Sequence, residues 1–502
     1  MSPSRSNVWG ALGAVALLAG WASAQATINV PADQPTIQAG INAAANGDTV
    51  LVAPGTYLEK INFMGKAITV RGSGGPKVTT IQANIPGTVV VFGSGEGPAS
   101  VLEGFTITGG TASGISCFAT APTVRKCRIT GNSASVSGGG FLWSAFGFAA
   151  PAVGPLLEDC EIVGNAAAGF AMTIAGGGGL HFNGALFGAP ATPTPVTLVR
   201  CTIEGNSSSM PSGGALFYSV QPTLIDCVVR QNTSLIGLPG LSFSQCTATV
   251  ANGAIAQHGG GGAALAFSSS IPTDALTLTN CTLFGNSGGG LSVGGSAPVT
   301  TIRNSVFWSN GPSSVSILAG TATATTSDIQ GGTGQSWFGS GCIDVDPLFA
   351  EPAAGDVHLR ADSPCKDTGS NATIGSLTGD FEGDPRIASG TVDMGADEFH
   401  PHLYVTGDRT PGGTVQIKLL GTPAAAGLLA VGSGVLDPPM ATPFGDLHLQ
   451  SPLAFVFLGF VPANGVLAVP VTIPPTVAVP AVVPMQALHG VQLTNLFVAC
   501  IE

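Results

Sequence analysis

Between residues 105 and 332, apolar and polar positions recur in one short phrase: cysteine, polar, aliphatic, polar, glycine, asparagine. It reads Cys127-Arg128-Ile129-Thr130-Gly131-Asn132, and it returns from Cys160, Cys201, Cys227 and Cys281, with Ser305 replacing the cysteine in a sixth copy and weaker echoes at Phe105 and Ser327. Strand alternation places the first and third positions on one face and the second and fourth on the other. The cysteine and the aliphatic residue therefore point inward. Another apolar station lies three residues before each cysteine or serine: Val124, Leu157, Leu198, Leu224, Leu278 and Ile302. A gap of three breaks the alternation and requires a kink. The residue before the station is Asp159, Asp226, Asn280 or Asn304 in four copies, types that tolerate left-handed backbone. The closing asparagine is expected to turn the next corner, with its amide bonding the turn or its stacked neighbours.

The spacing of the copies selects an architecture. Stations 105 and 127, like 305 and 327, are 22 residues apart, whereas others are separated by up to 54. The widest gap is expected to hide a degenerate coil around Cys246. Variable insertion at fixed points is what a solenoid tolerates, because each coil touches only its neighbours. A propeller blade needs about 40 or more residues with less scatter.

Ahead of the array, Thr27-Ile28-Asn29-Val30 reads as a strand. Asp33-Gln34-Pro35-Thr36 then opens a short helix carrying Ile37, Ile41 and Ala44 on one face, stopped by Asn46-Gly47. Gly47-Asp48-Thr49-Val50 and Pro54-Gly55-Thr56-Tyr57 follow. This order resembles the start of pectin-lyase-like right-handed parallel β-helix proteins, in which a helix plugs the open end of the coil. The resemblance implies an all-β, single-stranded solenoid: 25–100 as N-terminal cap and first coils, and 101–340 as the β-helix repeats.

Residues 341–400 change character, holding 12 of the chain's 28 acidic residues. The phrases Asp344-Val345-Asp346-Pro347, Asp362-Ser363-Pro364-Cys365-Lys366-Asp367 and Val392-Asp393-Met394-Gly395-Ala396-Asp397-Glu398 resemble the choice-of-anchor Q closing module of exported bacterial β-helix proteins. Lys366 departs from its usual apolar or small residue. The segment is expected to cap the β-helix, with Cys342 and Cys365 bridged. Residues 401–502, with Pro-Gly pairs and alternating runs such as Val415 to Leu419, read as a small β-sandwich-like tail.

Composition adds exclusions. Charged residues are 9% of the chain, Gly numbers 73, and the net charge is −12, so nucleic acid is not an expected partner. Arg5, the apolar run Val8 to Gly20 and Ala22-Ser23-Ala24 read as an export signal spanning 1–24, with the mature chain starting at Gln25. No later apolar run is long enough to span a membrane as a helix. The expectation is a monomer that is secreted or displayed at the cell surface. Five of the ten cysteines share one inward station. Stacked free thiols explain that spacing, although neighbouring coils also bring cysteines within bridging range.

Candidate chemistry is sparse. Outward charges alternate along the stack: Lys126, Asp159, Arg200, Asp226; Arg128 before Glu161; Glu204 before Arg230. Alternation that relieves a charge ladder accounts for them. Asp344 with Asp346, or Asp380 with Glu382 and Asp384, offers oxygens that could hold calcium, yet Asp before Pro or Gly is also turn chemistry. The resembled superfamily contains pectate lyases and polygalacturonases, but the Gly-His-Gly and Asn-Thr-Asp motifs of the latter are missing. Glu158, Asp159, Glu161 and Glu204 are the most evident carboxylate cluster for glycoside hydrolysis, and His181 and His258 are expected on solvated strand faces. Catalytic and metal-binding residues are thus not assigned from sequence, and no cofactor is expected apart from that possible calcium. The favoured reading is a non-catalytic scaffold contacting glycans or acting in adhesion through its outward positions and its insertions (Phe141 to Pro155, Gly184 to Pro195). The alternative is a polysaccharide lyase or glycoside hydrolase.

Overall fold

The structure, a computed structural model, describes residues 25–145, 151–169, 176–184, 193–296, 298–477, 481–490 and 492–501. The expected export signal lies outside them, as do parts of both insertions. Among the described residues no helix is long and apolar enough to cross a membrane.

The array is a parallel β-helix with three walls, right-handed as parallel crossovers are. The first wall has 12 strands, from Thr27–Val30 to Thr321–Thr325. The second has 11, from Gly55–Leu58 to Asp328–Ile329, and the third has 10, from Ile61–Asn62 to Val315–Ile317. Each repeated phrase crosses from the first wall to the second. The kink falls where the gap of three demands it: Lys126, Asp159, Arg200, Asp226, Asn252, Asn280 and Asn304 all have φ between 46° and 54°. The helix α1 (Ile37–Ala43) lies against the first rungs, capped by Thr36 Oγ1, with Ile37 and Ile41 fully buried. Glu59 accepts from the free Ile37 and Gln38 N–H groups, which completes the helix start.

The inner face is a set of residue ladders. Cys127, Cys160, Cys201, Cys227 and Cys281 are buried free thiols, each donating to a carbonyl of the preceding coil, as Cys160 Sγ does to Val124 O at 3.4 Å. Burial pushes Cys127 and Cys281 up to about 12, so they remain protonated donors. The third wall carries an aromatic ladder that the phrase does not announce: Trp143, Phe182, Phe217, Phe243 and Phe267 are in register. The Phe182 and Phe217 rings stack at 5.1 Å.

The closing asparagines form a buried amide ladder. Asn132, Asn165 and Asn206 each donate through Nδ2 to the Oδ1 of the next, ending at Asn232, at 3.0–3.1 Å. The hidden coil is present, but its phrase is Asn252-Gly253-Ala254-Ile255-Ala256-Gln257-His258, with Gly253 at the cysteine station. Cys246 instead fills a buried corner before the first wall. His258 therefore stands where asparagine belongs. It is buried, not solvated: its Nδ1 accepts from Asn232 N at 3.2 Å while Nε2 has no partner. Burial lowers its pKa to about 4. His258→Asn should restore the ladder and raise stability by about 1 kcal/mol at neutral pH, measured by urea unfolding. Because the histidine's folded pKa is depressed, the wild type also loses stability as pH falls from about 6.5 towards 4. The variant should have lost that part of the acid sensitivity.

Residues 341–400 do not act simply as an end cap. Trp337, Phe338 and Cys342 pack against the end of the core, but the chain then doubles back along the outer face of the second wall. Phe349, Val357, Leu359, Met394 and Ala396 bury Ala254, Ala256, Phe284 and Val306. Amides at the kinks are the anchoring points: Asn252 Nδ2 donates to Gly379 O at 2.8 Å, Asn280 Nδ2 to Asp393 O at 3.1 Å and Asn304 Nδ2 to Ser370 O at 3.0 Å. Gly395 sits at φ 106°, and a Cβ there would lie 2.9 Å from Thr282 Oγ1, so the approach needs glycine. This segment is a buttress. Cys342 and Cys365 are not bridged; Cys365 turns to Asp328 instead, donating to Oδ2 at 3.2 Å.

The tail consists of small antiparallel sheets. His402–Gly407, Thr414–Leu420 and Val466–Thr472 form one, and Ala454–Phe460, Ala426–Val431 and Ala481–His489 the centre of another. Leu403, Leu419, Leu429 and Ala487 lie in their shared core.

Candidate functional site

The expected charge ladder is in place, and it disposes of the carboxylate cluster as a free acid–base pair. Arg200 binds Asp159 at 2.6 Å and Glu158 at 2.7 Å, Arg230 binds Glu204 at 3.0 Å, and Arg128 pairs with Glu161. Every one of these carboxylates has a guanidinium partner on an adjacent coil. Such half-exposed pairs contribute about 0–1 kcal/mol each. Asp226 departs from the alternation: it accepts from Asn252 Nδ2 at 2.8 Å. His181 is buried with neither ring nitrogen bonded, and burial lowers its pKa to about 4.

Three of the carboxylates raised as calcium candidates are engaged in turns. Asp344 Oδ2 accepts from Gly331 N at 3.1 Å, and Asp346 Oδ1 caps Leu348 N at 2.9 Å. Asp380 Oδ1 takes the N–H groups of Glu382, Gly383 and Asp384, each at 3.0 Å, while Oδ2 takes that of Glu398. Glu382 points elsewhere, into a cleft.

That cleft, about 660 Å³, lies where the second wall, the buttress and the tail meet. Val228 and Arg230 of the second wall, Phe381 and Glu382 of the buttress, and Tyr404 and Phe497 of the tail line it. His358 also lines it. Its Nδ1 contacts Asp356 Oδ1 at 2.5 Å, and its Nε2 contacts Glu382 Oε2 at 2.7 Å. Burial alone would lower the pKa of His358, but the Glu382 and Asp356 carboxylates outweigh it and hold the ring well above the ordinary imidazole value. Burial pushes Glu382 up, yet His358 pulls it lower still, below the usual carboxylate range.

His402, on the first strand of the tail, faces the same carboxylate, with Nδ1 3.6 Å from Glu382 Oε2. Burial, reinforced by the neighbouring His358 charge and only partly offset by Glu382, lowers its pKa to about 4. Asn495 clamps this strand, accepting from Leu403 N at 2.7 Å and donating to His402 Nε2 at 3.1 Å. Lys418 of the tail pairs with Glu351 of the buttress, with Nζ 2.6 Å from Oε1. His358, Glu382 and His402 together bring one possible metal-ligand atom each within 4.8 Å of the others. Asp367, Asp393 and Glu398 form a second such group, but there backbone N–H groups occupy both oxygens of Asp393 and both of Glu398.

Sequence reasoning assigned none of His358, His402 or Asn495 a role. The available clue lay on the second wall, where the outward positions change from Arg128 and Glu161 to Val228, Ala254 and Val306. Apolar residues on an outer face announce a covering layer, and the cleft lies at the margin of that layer.

Among known proteins, residues 156–307 match the family described as right handed beta helix region. No curated protein matches the chain. Of solved structures, pectate lyase Pel9A is similar at 12% identity over 72% of this chain and 90% of that one, with a TM-score of 0.41. The enzymatically active domain of tailspike protein 4 of bacteriophage CBA120 is similar at 12% identity over 91% of this chain, which spans 64% of that domain, with a TM-score of 0.24. The repeats form a right-handed parallel β-helix.

Proposed function

We propose that this chain is an exported scaffold that contacts glycans along its first wall without transforming them. The observation that carries this reading is a ladder of threonines. Thr197, Thr223, Thr249, Thr277, Thr301 and Thr323 occupy equivalent outward positions on six successive strands, and none of their hydroxyls is bonded to another of the described residues. Parallel strands space such groups by about 4.8 Å, and each hydroxyl both donates and accepts. A polysaccharide offers hydroxyls in a similar repeating line, so individually weak contacts add along one chain.

Replacing Thr249, Thr277 and Thr301 together by valine keeps the β-branched shape and removes three hydroxyls. Retention on a panel of polysaccharides should fall about 10- to 100-fold, at roughly 1 kcal/mol or less per hydrogen bond. Unchanged retention would refute the reading. N-terminal sequencing of secreted material should begin at Gln25.

A second reading, a polysaccharide lyase or hydrolase, is favoured by the cleft, where Glu382 and Asp384 lie beside Phe381 and Tyr404. An unsaturated product absorbing in the ultraviolet, or new reducing ends, lost in Glu382→Gln, would establish that reading instead.

A further inference from the structure

The cleft holds a donor set that the glycan reading does not use. His358 Nε2, Glu382 Oε2 and His402 Nδ1 converge, and two imidazoles with one carboxylate are an N₂O set of the kind zinc takes in three-protein-ligand sites. Calcium and magnesium prefer oxygen alone. The second contact of His358 has the form that metal-bound histidines show. Asp356 holds Nδ1 at 2.5 Å and thereby aims Nε2 at the centre, as carboxylates behind metal-bound histidines do. The open cleft on the remaining side leaves room for a fourth ligand. The three residues also come from different parts of the molecule: His358 and Glu382 from the buttress, His402 from the tail.

We propose that His358, Glu382 and His402 bind a zinc ion that clamps the tail to the buttress. In the metal-free arrangement a proton on His358 Nε2 bridges to Glu382, and zinc replaces that proton. His402 must also change. Asn495 donates to its Nε2, and the Asn495 amide is oriented by Leu403, whose N–H bonds Oδ1 at 2.7 Å and whose carbonyl takes Nδ2 at 3.1 Å. The neutral ring thus carries its proton on Nδ1, facing Glu382. Zinc needs the Nδ1 lone pair, so the proton moves to Nε2 and meets the amide nitrogen of Asn495. That mismatch holds the affinity down, and it yields a gain-of-binding test.

The full chain, stripped with a chelator, is titrated with zinc chloride in a calorimeter, with calcium chloride as the comparison. The expected result is one zinc per chain and no calcium at this site. His358→Ala and His402→Ala should each weaken zinc binding by about 100-fold or more, beyond the 10- to 100-fold typical of losing an outer partner. His400→Ala should leave it unchanged. Asn495→Asp supplies an acceptor for the relocated Nε2 proton and should tighten binding about 10-fold. Zinc should also slow proteolysis between the buttress and the tail. No zinc uptake, or uptake equal in His358→Ala and His402→Ala, overturns the proposal. If the alanine variants unfold, Asn495→Asp decides: affinity unchanged or weakened overturns the clamp. A failed glycan experiment leaves this test intact, since the two use different faces.

Discussion

Asn206→Asp should lower the stability of the middle coils by roughly 4 kcal/mol, measured as a shift of the urea transition followed through the buried Trp143. The native Asn206 Oδ1 accepts from Asn165 N at 2.9 Å and from Asn165 Nδ2 at 3.0 Å. Its Nδ2 donates to Ile162 O at 2.8 Å and Asn232 Oδ1 at 3.0 Å. The side chain is fully buried. Aspartate keeps the accepting side but turns the donor into a third oxygen facing two others. Each buried acceptor left without a donor costs about 1–3 kcal/mol, and a buried carboxylate adds to that. The exposed Thr233→Ala on the next coil should shift the transition by less than about 0.5 kcal/mol. Equal shifts would mean that the amide ladder contributes little.

Asp328→Asn should act in the opposite direction, with an effect that grows as pH rises from about 4 to about 7. Asp328 is fully buried at the end of the second wall. Burial raises its pKa to about 7, aided by Asp344 and Asp346 and opposed by Val345 N and Cys365. A carboxyl group whose folded pKa is raised stabilises the fold while protonated. That contribution is complete below the unfolded value near 4 and is lost as pH rises through about 7. The wild type should therefore lose about 4 kcal/mol between these limits, at 1.36 kcal/mol per unit. Asparagine can still accept from Val345 N and cannot ionise. At pH 8 the variant should be more stable than the wild type by about that amount, and at pH 4 nearly equal. A constant difference at all pH values would assign the effect to packing rather than charge.

The features that were legible before the structure are those set by residues close in sequence or repeating at one station. Alternation within six residues identified Cys160 and Ile162 as inner-wall groups, the gap of three located the kink at Asp159, and sign alternation anticipated the Arg200 and Arg230 pairs. The threonine ladder was equally accessible: Thr197, Thr223, Thr249, Thr277 and Thr301 each immediately precede an inner apolar residue. It is less conspicuous because the cysteine, or the Gly253 or Ser305 that replaces it, three residues after each inner apolar residue marks only the turn into the second wall.

His258 was harder to read, since its coil has lost the cysteine and the histidine reveals its role only through alignment with the other corners. The cleft was not legible at all. His358, Glu382, His402 and Asn495 are scattered over more than a hundred residues, and no local period links them. They meet because the buttress folds back, and a fold-back is a tertiary event encoded mainly in which outer positions are apolar. Cys342 and Cys365 show the same limit: their place outside the ladder suggested a bridge, whereas Cys365 donates to Asp328 instead.

The doubling back of the buttress has a consequence for the order in which the molecule completes itself. A plain solenoid grows by templating, with each coil finished once the next covers its edge. Here the coils that supply Val228, Ala254, Thr282 and Val306 keep an apolar flank bare until residues near 396 arrive to cover it. The coils before Thr202 have no such dependence. A chain emerging from its amino end would therefore secure its first half early and hold its second half unfinished, sealed retroactively from the far end. Truncation before residue 396 should consequently damage coils that lie more than a hundred residues upstream, while the coils around Ile129 and Ile162 persist.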